Sequence, residues 1–448
     1  MKLAYLTAGA AGMYCGSCMH DNALARELQR VGVDCVLLPV YTPIRTDEQD
    51  VSESQVFFGG VHIYLLQKAP WLRWVPRPVR RWLDAPPFLR WATRRTATAP
   101  AKTLGELTIS MLEGSDGRQA EEVHRLATWL ADHLNPDCVL LSNLLIGGAI
   151  PEIRKRCPDA TVCVTLQGDD IFLDYLLDQH RQRAVELMRG LVPQVDRFIV
   201  HSQFYAEKMG RLLEIPSEKL VVLPLAIDAE PFGISDLRDE SDPNDAIGMP
   251  EEDGAAGVRP PRIGYLARLA PEKGLHHLVE AFISLATRSG IETLELHIAG
   301  YEGPQHAQYI AALKDKLQRV GLSQRVRFHG SPDLAGKVAF LQQLDLLCVP
   351  TEYEDPKGLF ILEAWAAGVP VVQPDHGAFS ELVTGAQAGC LVPPMDPGAL
   401  ADRLHAALLD EPGRLRWQEA GRNYVRQQAT ITIQARKLLE VLRSLKPT

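Results

Sequence analysis

Short apolar runs rich in Val, Ile and Leu recur along the whole chain, each followed by a stretch with helical spacing. In the first half they occupy 2–7, 34–40, 61–66, 138–142, 161–166, 197–201 and 220–227; in the second, 262–267, 294–299, 326–329, 345–349, 369–373 and 390–392. Runs that are apolar throughout, rather than at alternate positions, suit parallel strands covered on both faces. Strands separated by helices imply right-handed crossovers and doubly wound α/β sheets. A chain of 448 residues exceeds one ordinary core, and its runs fall into two sets. The expected organisation is an N-terminal α/β domain over 1–232, an acidic linker or surface insertion over 233–261, a second α/β domain over 262–424, and a C-terminal helix over 425–448 that packs back on the N-terminal domain. Ligands of such sheets bind at the carboxyl ends of the strands. Two such domains facing each other make one central cleft.

Composition narrows the partners. Apolar residues make up 46% and charged residues 23%, which is globular composition. The net charge of −9 argues against a broad nucleic-acid surface. No uninterrupted apolar run reaches bilayer length, and the amino terminus reads as a buried strand rather than a secretion signal. The eight cysteines are scattered, several inside apolar runs, as expected of reduced thiols in a cytoplasmic protein. One segment stands apart. Residues 68–102 hold Trp71, Trp74, Trp82 and Trp91 among seven arginines and two lysines, with Asp84 as the one acid. Two readings stand: peripheral contact with an anionic membrane face, or an insertion that packs its aromatic side on the first domain.

The residues with chemistry cluster after the apolar runs. Asp355-Pro-Lys-Gly-Leu-Phe-Ile-Leu-Glu363 places one acid before a helix start at Gly358 and another inside its second turn. Free N–H groups at such a start suit phosphate, and the flanking acids suit sugar and ribose hydroxyls. Arg268 and Lys273 lie five apart across the turn after 262–267, placed to neutralise a diphosphate leaving group without a metal. Gly300 repeats the strand-then-glycine pattern, and His376-Gly377-Ala378-Phe379 offers loop amides to a sugar or phosphate. In the first half, Gly9, Gly12 and Gly16 let backbone approach a ligand. Gln167, Asp169 and Asp170 end one strand and His201 another; they can hold acceptor hydroxyls, and the two acids can instead hold a metal or cap the following helix. Cys15-Gly-Ser-Cys18 admits thiol exchange or a plain structural loop. A zinc site is not expected there, because no second Cys pair completes four ligands.

Taken in order, these pieces resemble the retaining nucleotide-sugar glycosyltransferases of family 4 (glycosyl transferases group 1), with the GT-B fold of two Rossmann-like domains. The resemblance runs through Asp196-Arg-Phe-Ile-Val-His-Ser202, Leu223-Pro-Leu-Ala-Ile-Asp228, Gly264-Tyr-Leu-Ala-Arg268, Glu272-Lys-Gly274, and Asp355 to Glu381. It implies hexosyl transfer, with retained anomeric configuration, from a nucleotide-diphosphate sugar to a saccharide or lipid-linked acceptor. Arg268 and Lys273 would bind the donor diphosphate, Glu363 the ribose hydroxyls, and the first acid, Asp355 or its neighbour Glu354, the donor sugar. Gly9 to Gly16 would close on the diphosphate. No metal is implied. Three positions depart from the family pattern: Asp355 replaces the usual Glu, Gln167 a usual His, and Ala267 a usual Gly. The competing functions are a non-catalytic nucleotide-sugar-binding scaffold and a thiol-redox role for Cys15 and Cys18.

Overall fold

The computed structural model describes residues 1–9, 16–41, 50–53, 101–234 and 259–445. The chain forms two compact units: Met1–Leu225 with Ile431–Thr448, and Ala226–Thr430. Each holds one six-stranded, all-parallel sheet.

In the first unit the strands are β1 (Lys2–Thr7), β2 (Asp34–Pro39), β3 (Cys138–Leu141), β4 (Thr161–Thr165), β5 (Arg197–Val200) and β6 (Leu220–Val222), in the order β2-β1-β3-β4-β5-β6. Leu3 stands in register with Cys35 on one side and Cys138 on the other. The alternation along β1 shows why the run is apolar throughout. Ala4 and Leu6 join one buried cluster with Val139, Leu141, Val162 and Val164. Leu3 and Tyr5 join another with Cys35, Leu37, Leu140 and Cys163. Both faces are therefore core, as a sheet covered by helices on both sides requires.

The second cluster is roofed by the Gly16–Arg30 helix, through Ala23, Leu24, Ala25 and Leu28, and by the last helix, Ile431–Ser444. Ile431, Ala435, Leu438, Leu439 and Leu442 repeat at helical spacing and make one apolar stripe. Gln434 fixes this helix through its amide, 2.6 Å from His20 Nε2 and 3.0 Å from the Pro224 carbonyl. The sequence placed one helix over 425–448; the chain instead ends one helix at Gln428 and starts another at Ile431. Between them Thr430 bridges Ile227, and the Ile227 amide donates to the Ala429 carbonyl at 3.0 Å. That pairing takes the chain out of helical geometry where it passes from one unit to the other. The run 220–227 likewise yields a strand only to Val222, because Pro224 has no N–H to give a ladder. The unit boundary accordingly falls at Leu225 rather than 232.

In the second unit the strands are β7 (Arg262–Leu266), β8 (Glu295–Ala299), β9 (Val326–Phe328), β10 (Leu346–Leu347), β11 (Val371–Pro374) and β12 (Gly389–Val392), in the order β12-β11-β10-β7-β8-β9. The chain runs outward from β7 to β9, then returns to β10 on the other side of β7 and continues to β12. The β7–β10 seam is thus where the winding reverses, the place at which sheets of this kind bind their ligands. The sequence-read strand 61–66, the insertion 68–102 except for the helix backbone from Ala101, and 235–258 of the acidic segment lie outside the described residues.

Candidate functional site

Three loops meet at the carboxyl ends of β7, β10 and β11. The first carries Arg268 and Lys273, the second Glu352 to Gly358, and the third Asp375 to Ala378. The sequence-read residues Lys273, Asp355 and Gly377 are brought together here. Gly274, at φ 72°, lies where any Cβ would collide with the Pro350 carbonyl, so the β7 loop and the end of β10 are in backbone contact. A Cβ on Gly377, at φ 60°, would sit 2.6 Å from the Asp355 carbonyl. That carbonyl accepts the Ala378 amide at 2.9 Å. The Ala378 amide expected for a ligand is therefore used to join the β10 and β11 loops.

Asp355 is only 7% exposed, and protein donors meet both of its oxygens. Oδ1 accepts the amides of Lys357 and Gly358 at 3.0 Å each. Oδ2 accepts from Lys273 Nζ and the Tyr353 hydroxyl at 3.1 Å each. Burial alone pushes this carboxyl up, but the Lys273 charge and the two amides outweigh it and hold it at about 2. Lys273 is itself enclosed, with Nζ 4.8 Å from the centre of the Tyr353 ring. Asp355 thus pins Lys273 and braces the turn that leads into the Leu359–Ala366 helix, instead of presenting a free carboxylate. Arg268 differs: its side chain is 49% exposed, 3.4 Å from Glu272.

Glu363, in the second turn of that helix, pairs with Lys337 at 2.8 Å, and both are largely enclosed. Lys337 belongs to the Leu334–Gln342 helix, which follows β9, and sequence reasoning missed it. His376 directs Nε2 at the Thr351 carbonyl, 2.9 Å away, and its ring lies 5.8 Å from Phe379, which is fully buried. Phe379 is thus a core side chain. Gly300, after β8, gives its amide to the Gly330 carbonyl at 2.7 Å. Beside the Asp355 loop, His276 and His277 open the Leu275–Leu285 helix and place their Nε2 atoms 3.0 and 3.1 Å from Glu352 Oε1. Burial and the neighbouring ring lower His276 from its ordinary value. No motif in the sequence marked this cluster.

In the first unit the expected acceptor residues separate into two groups. Asp169 Oδ1 accepts the Leu144 amide at 2.8 Å and Oδ2 the Gln167 amide at 3.1 Å. Asp170 instead takes the Tyr205 hydroxyl at 2.6 Å and Lys208 at 2.9 Å. The adjacent acids hold different elements and share no common point. Gln167 reaches the other way: its Nε2 donates to the Ser142 carbonyl at 2.8 Å and to Asp21 Oδ1 at 3.3 Å. Asp21 also accepts from Tyr5 and Thr7 at 2.7 and 2.8 Å. His201 binds the Leu223 carbonyl through Nδ1 at 2.9 Å, its ring 5.3 Å from His20. Asp21 is the hub here, and no motif marked it. Gly9, two residues after β1, has φ 81°, and Gly16 opens the following helix. Gly12 and Cys15 lie outside the described residues, and Cys18 is buried.

Residues 251–424 match the family model described as glycosyl transferases group 1. A phosphatidyl-myo-inositol mannosyltransferase of Mycobacterium leprae is 33% identical over 172 residues, covering 37% of this chain and 43% of that protein. A D-inositol 3-phosphate glycosyltransferase of Corynebacterium urealyticum is 27% identical over 255 residues, covering 57% of this chain and 58% of that protein. The chain therefore spans about half the length of the curated relatives it matches. Among solved structures, Anabaena HepE in complex with UDP superposes with a TM-score of 0.67 at 16% identity, covering 99% of this chain and 100% of that one. A sucrose-phosphate synthase of Thermosynechococcus elongatus gives 0.68 at 17% identity, covering 99% of each chain. At such identities the likeness concerns the fold. Among the described residues no helix is long and apolar enough to cross a membrane.

Proposed function

We propose, for a chain of GT-B fold whose residues 251–424 belong to the glycosyl transferases group 1 family, that it transfers a hexosyl group with retained configuration from a nucleotide-diphosphate sugar to a saccharide or lipid-linked acceptor. One observation carries the reading: a largely enclosed Lys273, ion-paired with the buried Asp355, stands at the winding reversal of the second sheet, beside the amino end of the Leu359–Ala366 helix. A leaving diphosphate needs charge neutralised as its bond to the anomeric carbon breaks. Lys273 supplies that charge from a position fixed before the reaction, so no reorganisation is needed at the moment of transfer. The more exposed Arg268 supplies a second, movable cation. First-turn amides of the helix add dipole and hydrogen bonds.

Glu363 is the hydroxyl reader in this scheme, its charge partner being Lys337. Asp355 is a positioning residue: its lone pairs meet Lys273, Tyr353 and two amides, so it acts through the lysine. Because Asp355 is spent in this way, a second reading keeps a specific footing, that of a nucleotide-sugar-binding scaffold without turnover. Peripheral membrane contact through 68–102 rests on its Trp and Arg content alone; flotation with anionic liposomes tests it.

HepE holds UDP in its crystal, which makes uridine nucleotides the first probes. Calorimetry and thermal shift against a panel of nucleotide sugars should find a stabilising ligand. Nucleotide release in the presence of saccharide acceptors should then follow. Binding without release on any acceptor favours the scaffold. No binding of any nucleotide sugar overturns both.

A further inference from the structure

His276, His277 and Glu352 converge on one point that the donor scheme does not use. Successive residues of a helix point about 100° apart, yet the two neighbouring rings turn to the same oxygen, Glu352 Oε1, at 3.0 and 3.1 Å. The ring centroids lie 4.0 Å apart, and the three donor atoms all lie within 4.8 Å of one another. Donors held at roughly 2.0–2.2 Å from one ion stand about 3–3.4 Å apart in adjacent positions and about 4 Å apart in opposite ones. The two histidine–carboxylate spacings fall in the adjacent range, and the two imidazole nitrogens lie within 4.8 Å of each other.

The surroundings fit as well. Tyr309 Oη lies 3.0 Å from His276 Nδ1 and accepts the His276 amide at 3.1 Å. An outer hydrogen bond of this kind fixes the ring and aims the other nitrogen at a metal. Glu352 is anchored through its amide, which donates to the Glu272 carbonyl at 3.0 Å. Its side chain is 38% exposed, which leaves one side of the cluster open to water.

We propose that His276, His277 and Glu352 bind a divalent transition-metal ion of the zinc class, with water in the remaining positions. Two imidazoles and one carboxylate suit zinc, cobalt or nickel; calcium and magnesium prefer oxygen ligands alone. The ion is a clip rather than a reactant. Lys273 lies three residues before His276, and Asp355 three residues after Glu352. The bound metal therefore ties the segment carrying the lysine to the segment carrying its carboxylate.

Cobalt(II) titration of the full chain tests this without any assay of transfer, because cobalt in such a site absorbs in the visible and zinc displaces it. We expect one equivalent with visible bands, a raised melting temperature with zinc, and loss of that equivalent in His276→Ala, His277→Ala and Glu352→Gln. Tyr309→Phe should weaken it roughly tenfold to a hundredfold. Should a histidine variant fail to fold, Glu352→Gln, a change on a part-exposed loop, carries the same test. No stoichiometric cobalt binding overturns the proposal. So does an equivalent that survives all three substitutions, which then belongs to another part of the chain. Retention in Glu352→Gln alone also overturns the three-ligand site.

Discussion

Asp355 and Asp169 are two buried aspartates near the carboxyl edge of a parallel sheet, one in each unit, and each accepts two backbone amides. Their charges are nevertheless treated in opposite ways. Burial and the Asp170 carboxylate push Asp169 up to about 6, and the Gln167 and Leu144 amides offset only part of that. Burial pushes Asp355 up as well, but it is held at about 2, because Lys273 stands 3.1 Å away. Two amides are not enough to keep a buried carboxylate comfortably ionised; a cation is. The difference separates a carboxylate that braces a loop from one that belongs to a charged site.

Removing the cation breaks the comparison most severely. Lys273→Ala leaves Asp355 buried beside Tyr353 with no counter-charge. Breaking a buried pair from one side costs about 3–5 kcal/mol, seen as a lower melting temperature. Turnover should fall roughly 10²–10³-fold if the lysine stabilises the leaving group as a preorganised donor does. Unchanged stability and unchanged nucleotide release together would remove both roles assigned to Lys273.

The pH dependence of stability separates the two aspartates by window as well as by sign. Asp169 has a folded value raised from 3.8 to about 6. The folded chain then holds the proton more tightly, so this contribution is fully present below pH 4 and lost as pH rises to 6, by roughly 3 kcal/mol. Asp355 has a folded value lowered to about 2. Its contribution is present above pH 4 and lost as pH falls towards 2, by roughly 2 kcal/mol. Melting curves across pH 2 to 7 for the wild type, Asp169→Asn and Asp355→Asn should lose one slope each. If Asp169→Asn keeps the wild-type slope between pH 4 and 6, that carboxyl titrates normally and the contrast fails.

Much of this contrast was legible in sequence, and the reasons for the rest are physical. Apolar runs with two buried faces located the strands of both sheets, as Ala4 and Leu3 on opposite faces of β1 illustrate. The cation loop and the Asp355 loop could be read as site elements because each follows such a run. Their pairing could not, because β7 and β10 are neighbours only in the folded sheet order, and Lys273 and Asp355 lie 82 residues apart. Lys337 beside Glu363, and Glu352 beside His277, 75 residues away, were hidden for the same reason. The Asp21 hub joins Gln167 across 146 residues. Misread ends had local causes instead: Pro224 cut β6 short, and the Thr430–Ile227 bridge divided the last helix from the one before it.

The smallest effect sharpens the comparison at the level of single hydroxyls. Each unit has a tyrosine donating to a buried aspartate: Tyr353 to Asp355 Oδ2 at 3.1 Å, and Tyr205 to Asp170 Oδ1 at 2.6 Å. Tyr205 Oη also accepts the Gly168 amide at 2.9 Å, so Tyr205→Phe strands a backbone donor as well as a carboxylate oxygen. It should cost roughly 1–3 kcal/mol. In Tyr353→Phe, the Asp355 oxygen keeps Lys273, and the phenyl ring keeps its face towards the ammonium. About 1 kcal/mol is expected there. The acid transition of Asp355 should also move upward, because the ionised form loses one of its donors. Melting temperatures of the two variants at pH 7, and the acid midpoint of Tyr353→Phe, decide it. A larger loss at Tyr353 than at Tyr205 would mean that the hydroxyl, rather than Lys273, holds Asp355 ionised, and the cation would lose its place as the feature that distinguishes the two regions.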